Sequence, residues 1–319
     1  MTKLARAVRD CSLFVLLTLA SACSKQAVTS LDGTPAGPYR LNLALAPPAP
    51  GPGDEATLTF HLSHTATGEP LHDLQVIHER VLHTFIVARD FSSFAHIHHE
   101  DFLALTAADL AAATLHFPYR FPHVGHYRIV SEFVYRDRTW IKQFDLSIGN
   151  PHDEDVVKIN LAREQTVGPY RARLAVSPAQ PVAGAETELI LELARDGQPV
   201  TDLKLFLGTE AHVALWRIDG ENFGHTHSYT PEMAAMMAAM HGHAMNAQEA
   251  ADMMLKMMSG SPKLNFPGPR VPVHYTFPSP GVYALFIQVA PRGEPRVFGF
   301  MLEVKDTASS APAPAASAR

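Results

Sequence analysis

Histidines at a repeated spacing are the first feature of this sequence that could support chemistry. The pattern His-x12-His-x-His occurs at residues 83–98 and again at residues 212–227. Three neutral imidazoles, each offering one lone pair, suit Zn²⁺ or Cu²⁺ and leave a coordination position for water or another ligand. The first triad consists of His83, His96 and His98, and the second triad consists of His212, His225 and His227. The alternative is that these histidines are polar positions on the solvated face of a β-sheet.

A β-hairpin would gather the members of each triad on one patch. Asp219-Gly220 is a strong turn signal, and a hairpin centred there pairs the first histidine of the second triad with its last. A turn at Asp90-Phe91 does the same in the first triad. Residues two apart on a strand project from the same face, so the middle histidine lies beside this pair. A four-residue turn would shift the pairing by two and keep the same face. We therefore predict that each triad can share one ion.

Further donors lie close to the first triad in the sequence. His78 and His99 are candidate additional ligands, and Glu79 and Glu100 are candidate carboxylates that support the ligands. The second copy has neither histidine nor glutamate at the corresponding positions. We therefore predict a first site that is richer in spare ligands than the second.

A methionine-rich segment follows the second triad. Thr230 and Asn246 are typical helix starts and Ser259-Gly260 a typical end, which predicts a helical hairpin at about 230–260. The methionines either pack as an ordinary core or act as soft thioether ligands for Cu(I), and few leucine or isoleucine residues accompany them. The candidate ligands are Met233, Met236, Met237, Met240, His241, His243, Met245, Met253, Met254, Met257 and Met258.

An internal repeat organises the chain. Gly37-Pro-Tyr-Arg40 returns as Gly168-Pro-Tyr-Arg171, and the triads recur 129 residues apart. The motif Phe-Pro-x-x-Gly-x-Tyr at residues 121–127 returns at residues 277–283, an offset of 156. The difference of 27 residues is an insertion in the second copy, in the part of the chain that holds the methionines.

Each copy has the pattern of an all-β domain. Short apolar runs of five to eight residues are separated by Pro, Gly and Asp turns, and Gly-x-Tyr before an apolar strand is typical of the tyrosine corner of immunoglobulin-like folds. Thr106–Ala113 is a candidate short helix. We predict two tandem immunoglobulin-like or cupredoxin-like β-sandwiches, the second carrying the helical hairpin. The predicted order is a signal peptide at 1–23, a tether at 24–37, sandwich 1 at 38–150, a linker at 151–167, sandwich 2 at 168–305 and a disordered tail at 306–319.

The N-terminus has the features of an export signal. Three basic residues precede the short apolar run Cys11–Ala20, which is too short to span a bilayer. The ending at Cys23 resembles a bacterial lipoprotein signal, although Leu19 lies one place earlier than usual. This resemblance implies lipidation of Cys23 and a location on the periplasmic side of the cell envelope. Plain secretion with a free thiol is the alternative.

Composition excludes several kinds of site and partner. The net charge of −6 argues against nucleic acid as a partner, because such binding depends on cationic side chains. With 2 Cys in the whole sequence and one of them in the signal, an intrachain disulfide and a thiolate metal site are both excluded. Any metal must therefore be held by His, Met or carboxylate.

The segments 83–98 and 212–227, each an apolar strand, an acidic turn and Phe-x-His-x-His, resemble the YtkA-like modules of secreted bacterial proteins. The resemblance implies a β-sandwich, a location outside the cytoplasm and a role around copper or other metals. We predict a lipoprotein that is not an enzyme and that binds copper, or alternatively zinc. Its expected partners are the metal ion, the membrane through the lipid anchor and an envelope metal-transport protein. A structural module without metal and a copper redox enzyme are the two other function classes that remain open.

Overall fold

The computed structural model describes residues 29–32, 37–151, 155–228 and 263–306. The signal peptide with Cys23, the helical insertion at about 230–260 and the tail after residue 306 lie outside these described residues, and so do all nine candidate methionines, His241 and His243. Among the described residues, no helix is long and apolar enough to cross a membrane.

The described residues of the first half form eight strands and one short helix. Strand β2 shows why this sequence forms strands. Its residues Tyr39, Leu41 and Leu43 are buried and alternate with more exposed residues, and this period of two buries one face of a strand. The elements are β1 (Thr29–Asp32), β2 (Tyr39–Ala46), β3 (Glu55–His64), β4 (Leu82–Ala88), β5 (Phe94–Ile97), a 3-10 turn (His99–Asp101), α1 (Ala107–Ala112), β6 (Thr114–Arg120), β7 (Gly125–Tyr135) and β8 (Arg138–Ile148).

The second half repeats this arrangement. Strands β7 and β17 are both 11 residues long and start 156 residues apart, which is the offset seen in the sequence. The elements are β9 (Glu164–Val167), β10 (Tyr170–Ser177), β11 (Glu186–Arg195), β12 (Gln198–Pro199), β13 (Leu203–Lys204), β14 (Ala211–Arg217), β15 (Phe223–His227), β16 (Arg270–Thr276), β17 (Gly281–Pro291) and β18 (Arg296–Val304).

Two antiparallel sheets enclose a core in each half, so the prediction of an all-β chain with sandwich-like sheets is confirmed. The first half has sheets β1-β2-β3-β6 and β5-β4-β7-β8 around one buried apolar cluster. The second half has β9-β10-β11-β12, with β16 on β11, and β13-β17-β14-β15, with β18 on β17, around another. The predicted short helix is present as α1, capped by Thr106.

Both tyrosine corners are formed. The hydroxyl of Tyr127 donates to the backbone oxygen of His123 at 3.0 Å, and the hydroxyl of Tyr283 donates to that of Ser279 at 2.9 Å. This contact, from a tyrosine to a carbonyl four residues earlier, is the feature that the repeated Gly-x-Tyr motif indicated.

Each sandwich starts earlier than its predicted boundary. Thr29–Asp32, which we assigned to the tether, pairs with β2, and Glu164–Val167, which we assigned to the linker, pairs with β10. Both are edge strands of only four residues, and their composition alone does not distinguish them from loop.

A third apolar cluster joins the two sandwiches. The sheets that carry β4 and β14 face each other, and the stacked rings of Phe94 and Phe286 lie 4.4 Å apart at an interplanar angle of 4°. Every residue of β4 is buried, because one face of the strand covers its own core and the other contacts the second sandwich. The buried members of the cluster are Phe85, Val87, Val130, Ala214, Trp216, Ala284 and Phe286.

Candidate metal centre

The two hairpins place the triads as the turn signals predicted. In the second copy His212 lies opposite His227 in the β14–β15 ladder. In the first copy the β4–β5 ladder pairs Thr84 with Ile97, and one step further the same register sets His83 opposite His98. Each turn is a four-residue loop centred on the predicted position. The expectation that a loop of this length would shift the pairing by two is wrong, because a loop centred on the same position leaves the pairs unchanged. The predicted register is therefore confirmed.

The first triad is a tight triangle of nitrogen atoms. His83 Nδ1 lies 3.1 Å from His96 Nε2, and His98 Nε2 lies 3.0 Å from each of them. All three side chains are buried. Strand alternation explains the convergence, because the histidines of both strands project from the same face of the hairpin.

The outer nitrogen of each imidazole in the first triad faces an oxygen acceptor. His83 Nε2 donates to the carbonyl of Ile77 at 2.9 Å, and His98 Nδ1 donates to the carboxylate of Asp101 at 2.8 Å. His96 Nδ1 donates to Gln288 Oε1 at 3.1 Å. Because these oxygens only accept, the proton of each neutral ring sits on its outer nitrogen and the inner nitrogen carries a lone pair. Three lone pairs therefore meet at about 3 Å with no proton between them.

A metal cation would resolve this arrangement. Zinc and copper bind imidazole nitrogen at about 2.0–2.1 Å, and three nitrogen atoms that lie 3.0–3.1 Å apart could all bind one such ion. Three protein ligands would leave a coordination position for water or another ligand. Outer-nitrogen hydrogen bonds to carbonyl and carboxylate groups are the usual support of histidine ligands.

The second triad repeats this geometry more loosely. His212 Nδ1 lies 3.4 Å from His225 Nε2, and His212 Nε2 donates to the carbonyl of Phe206 at 3.0 Å. His225 Nδ1 lies 3.4 Å from the carboxylate of Glu132. With His227, one ligand atom of each histidine falls within 4.8 Å of the others, as also holds in the first triad. Each triad is therefore able to hold one ion.

Matching tight turns supply the carbonyl acceptors. Ile77 and Arg80 exchange both backbone hydrogen bonds, and Phe206 and Thr209 do the same in the second copy. The two central residues of each turn have positive φ, as a type I′ turn requires. The turns thus hold the carbonyls of Ile77 and Phe206 against the first histidine of each triad.

Burial favours the neutral form of five triad histidines. It lowers the pKa of His83, His96, His212 and His227 well below the ordinary value, and neighbouring histidines lower it further. Burial also lowers the pKa of His98, against the opposing effect of Asp101. Neutral imidazole is the form that binds metal.

Both triads lie at the junction between the two sandwiches. The alternative of a solvated sheet face is wrong, because the second sandwich covers that face. Rings of the two triads contact each other across the junction: the ring centroids are 5.4 Å apart for His96 and His212 and 5.8 Å apart for His83 and His225. The two triads form one buried cluster of six imidazoles. In the sequence, this covering is indicated by apolar residues, such as Phe85 and Trp216, at the positions of β4 and β14 that face away from their own core.

The two additional histidine candidates lie outside the triads. His99 is buried and bonds the backbone of His116, because the residue after His98 projects away from the triad. His78 lies at the junction, with its ring centroid 3.9 Å from that of His227 in the other copy and 6.2 Å from that of His83. His78 therefore contacts the second triad more closely than the first, contrary to its position in the sequence.

The residues that orient the ligands were not predicted from the sequence. Glu132 and Gln288 lie on β7 and β17, directly opposite His83 and His212 in the ladders. They are 156 residues apart, so the repeat offset could have identified them as an equivalent polar pair on otherwise buried strands. Asp101 carried no comparable signal.

Comparison with curated proteins finds no match. Solved structures that are similar to this chain include FdeC, an adhesin of Escherichia coli, with 11% identity, a TM-score of 0.23 and coverage of 87% of this chain and 65% of that one. Salmonella alpha-2-macroglobulin is 11% identical with a TM-score of 0.27, and the match covers 86% of this chain and 15% of that one. The fibronectin(III)-like modules of Clostridium thermocellum CbhA are 9% identical with a TM-score of 0.20, and the match covers 85% of this chain and 98% of that one. The chain thus spans less than two thirds of the length of the first two structures, and similarity at these scores does not bear on function.

One family matches along most of the chain, and it does so twice. The matching segments are residues 35–149 and 165–306, each of which contains one triad. The protein therefore belongs to the family described as a domain of unknown function, DUF8832, and carries two copies of that domain.

Proposed function

We propose that this protein binds copper through its two histidine triads and buffers, sequesters or delivers the ion in the bacterial cell envelope. The observation that carries the proposal is the set of three inward lone pairs in the first triad, whose inner nitrogens lie 3.0–3.1 Å apart. Lone pairs at this separation repel one another unless a cation lies among them. Hydrogen bonds on the outer nitrogens hold the imidazoles in the tautomer that a metal needs.

The methionine-rich segment supports copper over zinc. Thioether sulfur is a soft ligand that suits Cu(I), whereas zinc sites rarely use it. The segment lies outside the described residues, which stop at Ser228, one residue after His227, and resume at residue 263. The buried carboxylate of Glu210, two positions before His212, accepts hydrogen bonds from Ser228 and from the backbone of Phe266, so the described residues on both sides of the segment meet near the second triad.

The N-terminal signal supports the cellular location. A lipidated Cys23 would hold the protein on the membrane at the periplasmic side, and an envelope metal-transport protein would be its partner. Plain secretion would leave the same metal sites in an unanchored protein. The proposed activity is binding without catalysis.

Metal titration of the mature chain, residues 24–319, tests the proposal. We expect sub-micromolar binding of Cu(I) or Cu(II) with two ions per chain. The double variants His83→Ala/His98→Ala and His212→Ala/His227→Ala should each lose one ion. His72→Ala, which changes an exposed histidine outside the triads, is the matched control and should bind like the unchanged protein.

Three outcomes would redirect or contradict the proposal. Tight binding of zinc with weak binding of copper would retain the site and change the metal. The absence of any tight binding would favour a structural module whose sandwiches hold an envelope partner. Oxygen consumption by the copper-loaded protein with a reductant present would indicate a redox enzyme.

A further inference from the structure

Two polar residues cross the junction between the sandwiches. Glu132 lies on β7 opposite His83, yet its carboxylate lies 3.4 Å from Nδ1 of His225 in the other sandwich. Gln288 lies on β17 opposite His212, yet its Oε1 lies 3.1 Å from Nδ1 of His96. The crossing is reciprocal, because positions 132 and 288 are equivalent in the repeat. Each sandwich therefore orients the middle histidine of the triad that belongs to the other.

The two triads also lie close together. Ring centroids of His96 and His212 are 5.4 Å apart, and those of His96 and His225 are 5.7 Å apart. A bound ion lies about 3.2 Å from the centroid of each imidazole ligand, given the usual bond length from metal to nitrogen. Two ions, one in each triad, would then lie no more than about 12 Å apart.

The junction is packed well enough to define this geometry. The stacked rings of Phe94 and Phe286 come from different sandwiches, and Arg128 of the first donates to the backbone oxygen of Gly220 in the second at 2.8 Å. Glu132 and Gln288 are themselves buried. A buried carboxylate next to imidazole needs a compensating positive charge, which an ion bound through His225 would supply.

From these observations we propose that the two triads form a single dinuclear metal centre at the junction, in which Glu132 and Gln288 act as positioning residues across the domain boundary. This inference rests on the proposed function and deepens it. The first sandwich then controls the affinity of the site in the second, and the reverse holds as well. A carboxylate makes its imidazole partner a stronger ligand than an amide does, so Glu132 should matter more than Gln288.

Single-site variants separate the two triads experimentally. His98→Gln leaves only the second triad complete, and His227→Gln leaves only the first. Each variant of the mature chain is titrated with Cu(II) alone, with and without the additional change Glu132→Gln. The control change is Glu69→Gln, which alters an exposed glutamate of the same sandwich that is remote in sequence from both triads.

We expect Glu132→Gln to weaken Cu(II) binding by about 10- to 100-fold in the His98→Gln protein and to leave it unchanged in the His227→Gln protein. A general folding defect would weaken both. The inference is overturned if the effect falls on the first triad, on both triads or on neither. Circular dichroism confirms that each variant is folded.

Electron paramagnetic resonance of the doubly loaded protein tests proximity independently. Two Cu(II) ions within about 12 Å should show dipolar broadening that neither single-site variant shows, with the distance limit taken from the ligand geometry. A spectrum equal to the sum of the two single-site spectra would contradict a dinuclear centre and leave metal binding intact. If neither single-site variant binds an ion, the proposed function itself fails.

Discussion

The first and second triads use the same three residues on equivalent hairpins, but their surroundings differ. In the first triad the inner nitrogens lie 3.0–3.1 Å apart, and His98 is supported by Asp101. In the second, the nitrogens of His212 and His225 lie 3.4 Å apart. The position that corresponds to Asp101 is residue 230, a threonine at the start of the methionine-rich insertion.

This difference indicates which parts of a duplicated site are free to change. The β-ladder fixes which side chains share a face, so the ligands are the same in both copies. The residues that bind the outer nitrogens come from turns and from the other sandwich, where substitution does not disturb the ladder. The copies therefore keep one ligand set and differ in how it is supported.

The largest expected effect concerns residue 78 and the loss of folding stability at acid pH. Burial lowers the pKa of His78 to about 4, whereas the equivalent position in the second copy is Leu207. Below pH 6.5 the unfolded chain binds a proton at His78 that the folded protein does not, so the free energy of unfolding falls by about 1.4 kcal/mol per pH unit until about pH 4.

His78→Leu should therefore reduce the loss of stability of the metal-free protein between pH 7.5 and pH 5 by about 2 kcal/mol. Urea unfolding at the two pH values with a chelator present measures this difference. His72→Leu, at an exposed site, is the control and should show the full loss. Equal acid sensitivity of His78→Leu and the unchanged protein would contradict the prediction.

A smaller effect is expected at Asp101, which supports only the first triad. Asp101→Asn keeps an oxygen acceptor for His98 but removes the charge, and it should weaken metal binding at the first triad by about 10-fold. The change is made in the His227→Gln protein, and isothermal titration measures the affinity. In the His98→Gln protein, which keeps only the second triad, the same change should have no effect. A loss of metal affinity in the His98→Gln protein would show that Asp101 also supports the second triad, and would contradict the prediction.

The smallest predicted effect compares the two tyrosine corners. Tyr127→Phe removes the hydroxyl that donates to the backbone oxygen of His123 at 3.0 Å and accepts from its backbone N–H at 3.3 Å, and it should cost about 1 kcal/mol of unfolding free energy. Tyr283→Phe should cost more, up to about 2 kcal/mol, because that hydroxyl also contacts the side chain of Ser279 at 3.0 Å. Urea denaturation of both variants at pH 7.5 measures the difference, and a larger loss for Tyr127→Phe would contradict the ranking.

Much of the site was predictable because it is local in the sequence. His212 and His227 belong to one hairpin, and a turn signal halfway between them sets their register. The short edge strand Thr29–Asp32 was not predictable in the same way, because four residues with no apolar alternation carry no strand signal. Glu132 was missed for a different reason, since its contact with His225 joins residues 93 positions apart and in different sandwiches.

The sequence by itself determined the repeat, the β class, the two hairpins and the membership of each triad, because each of these depends on the period of a strand or on a short turn. Only the tertiary structure decided that the triads face each other, are buried and exchange their supporting residues. That outcome depends on how two finished sandwiches pack, through surfaces such as Phe94 against Phe286. Apolar outward residues such as Phe85 and Trp216 indicate that a sheet face is covered, but no local pattern encodes which surface covers it, since the packing brings together residues that are far apart along the chain.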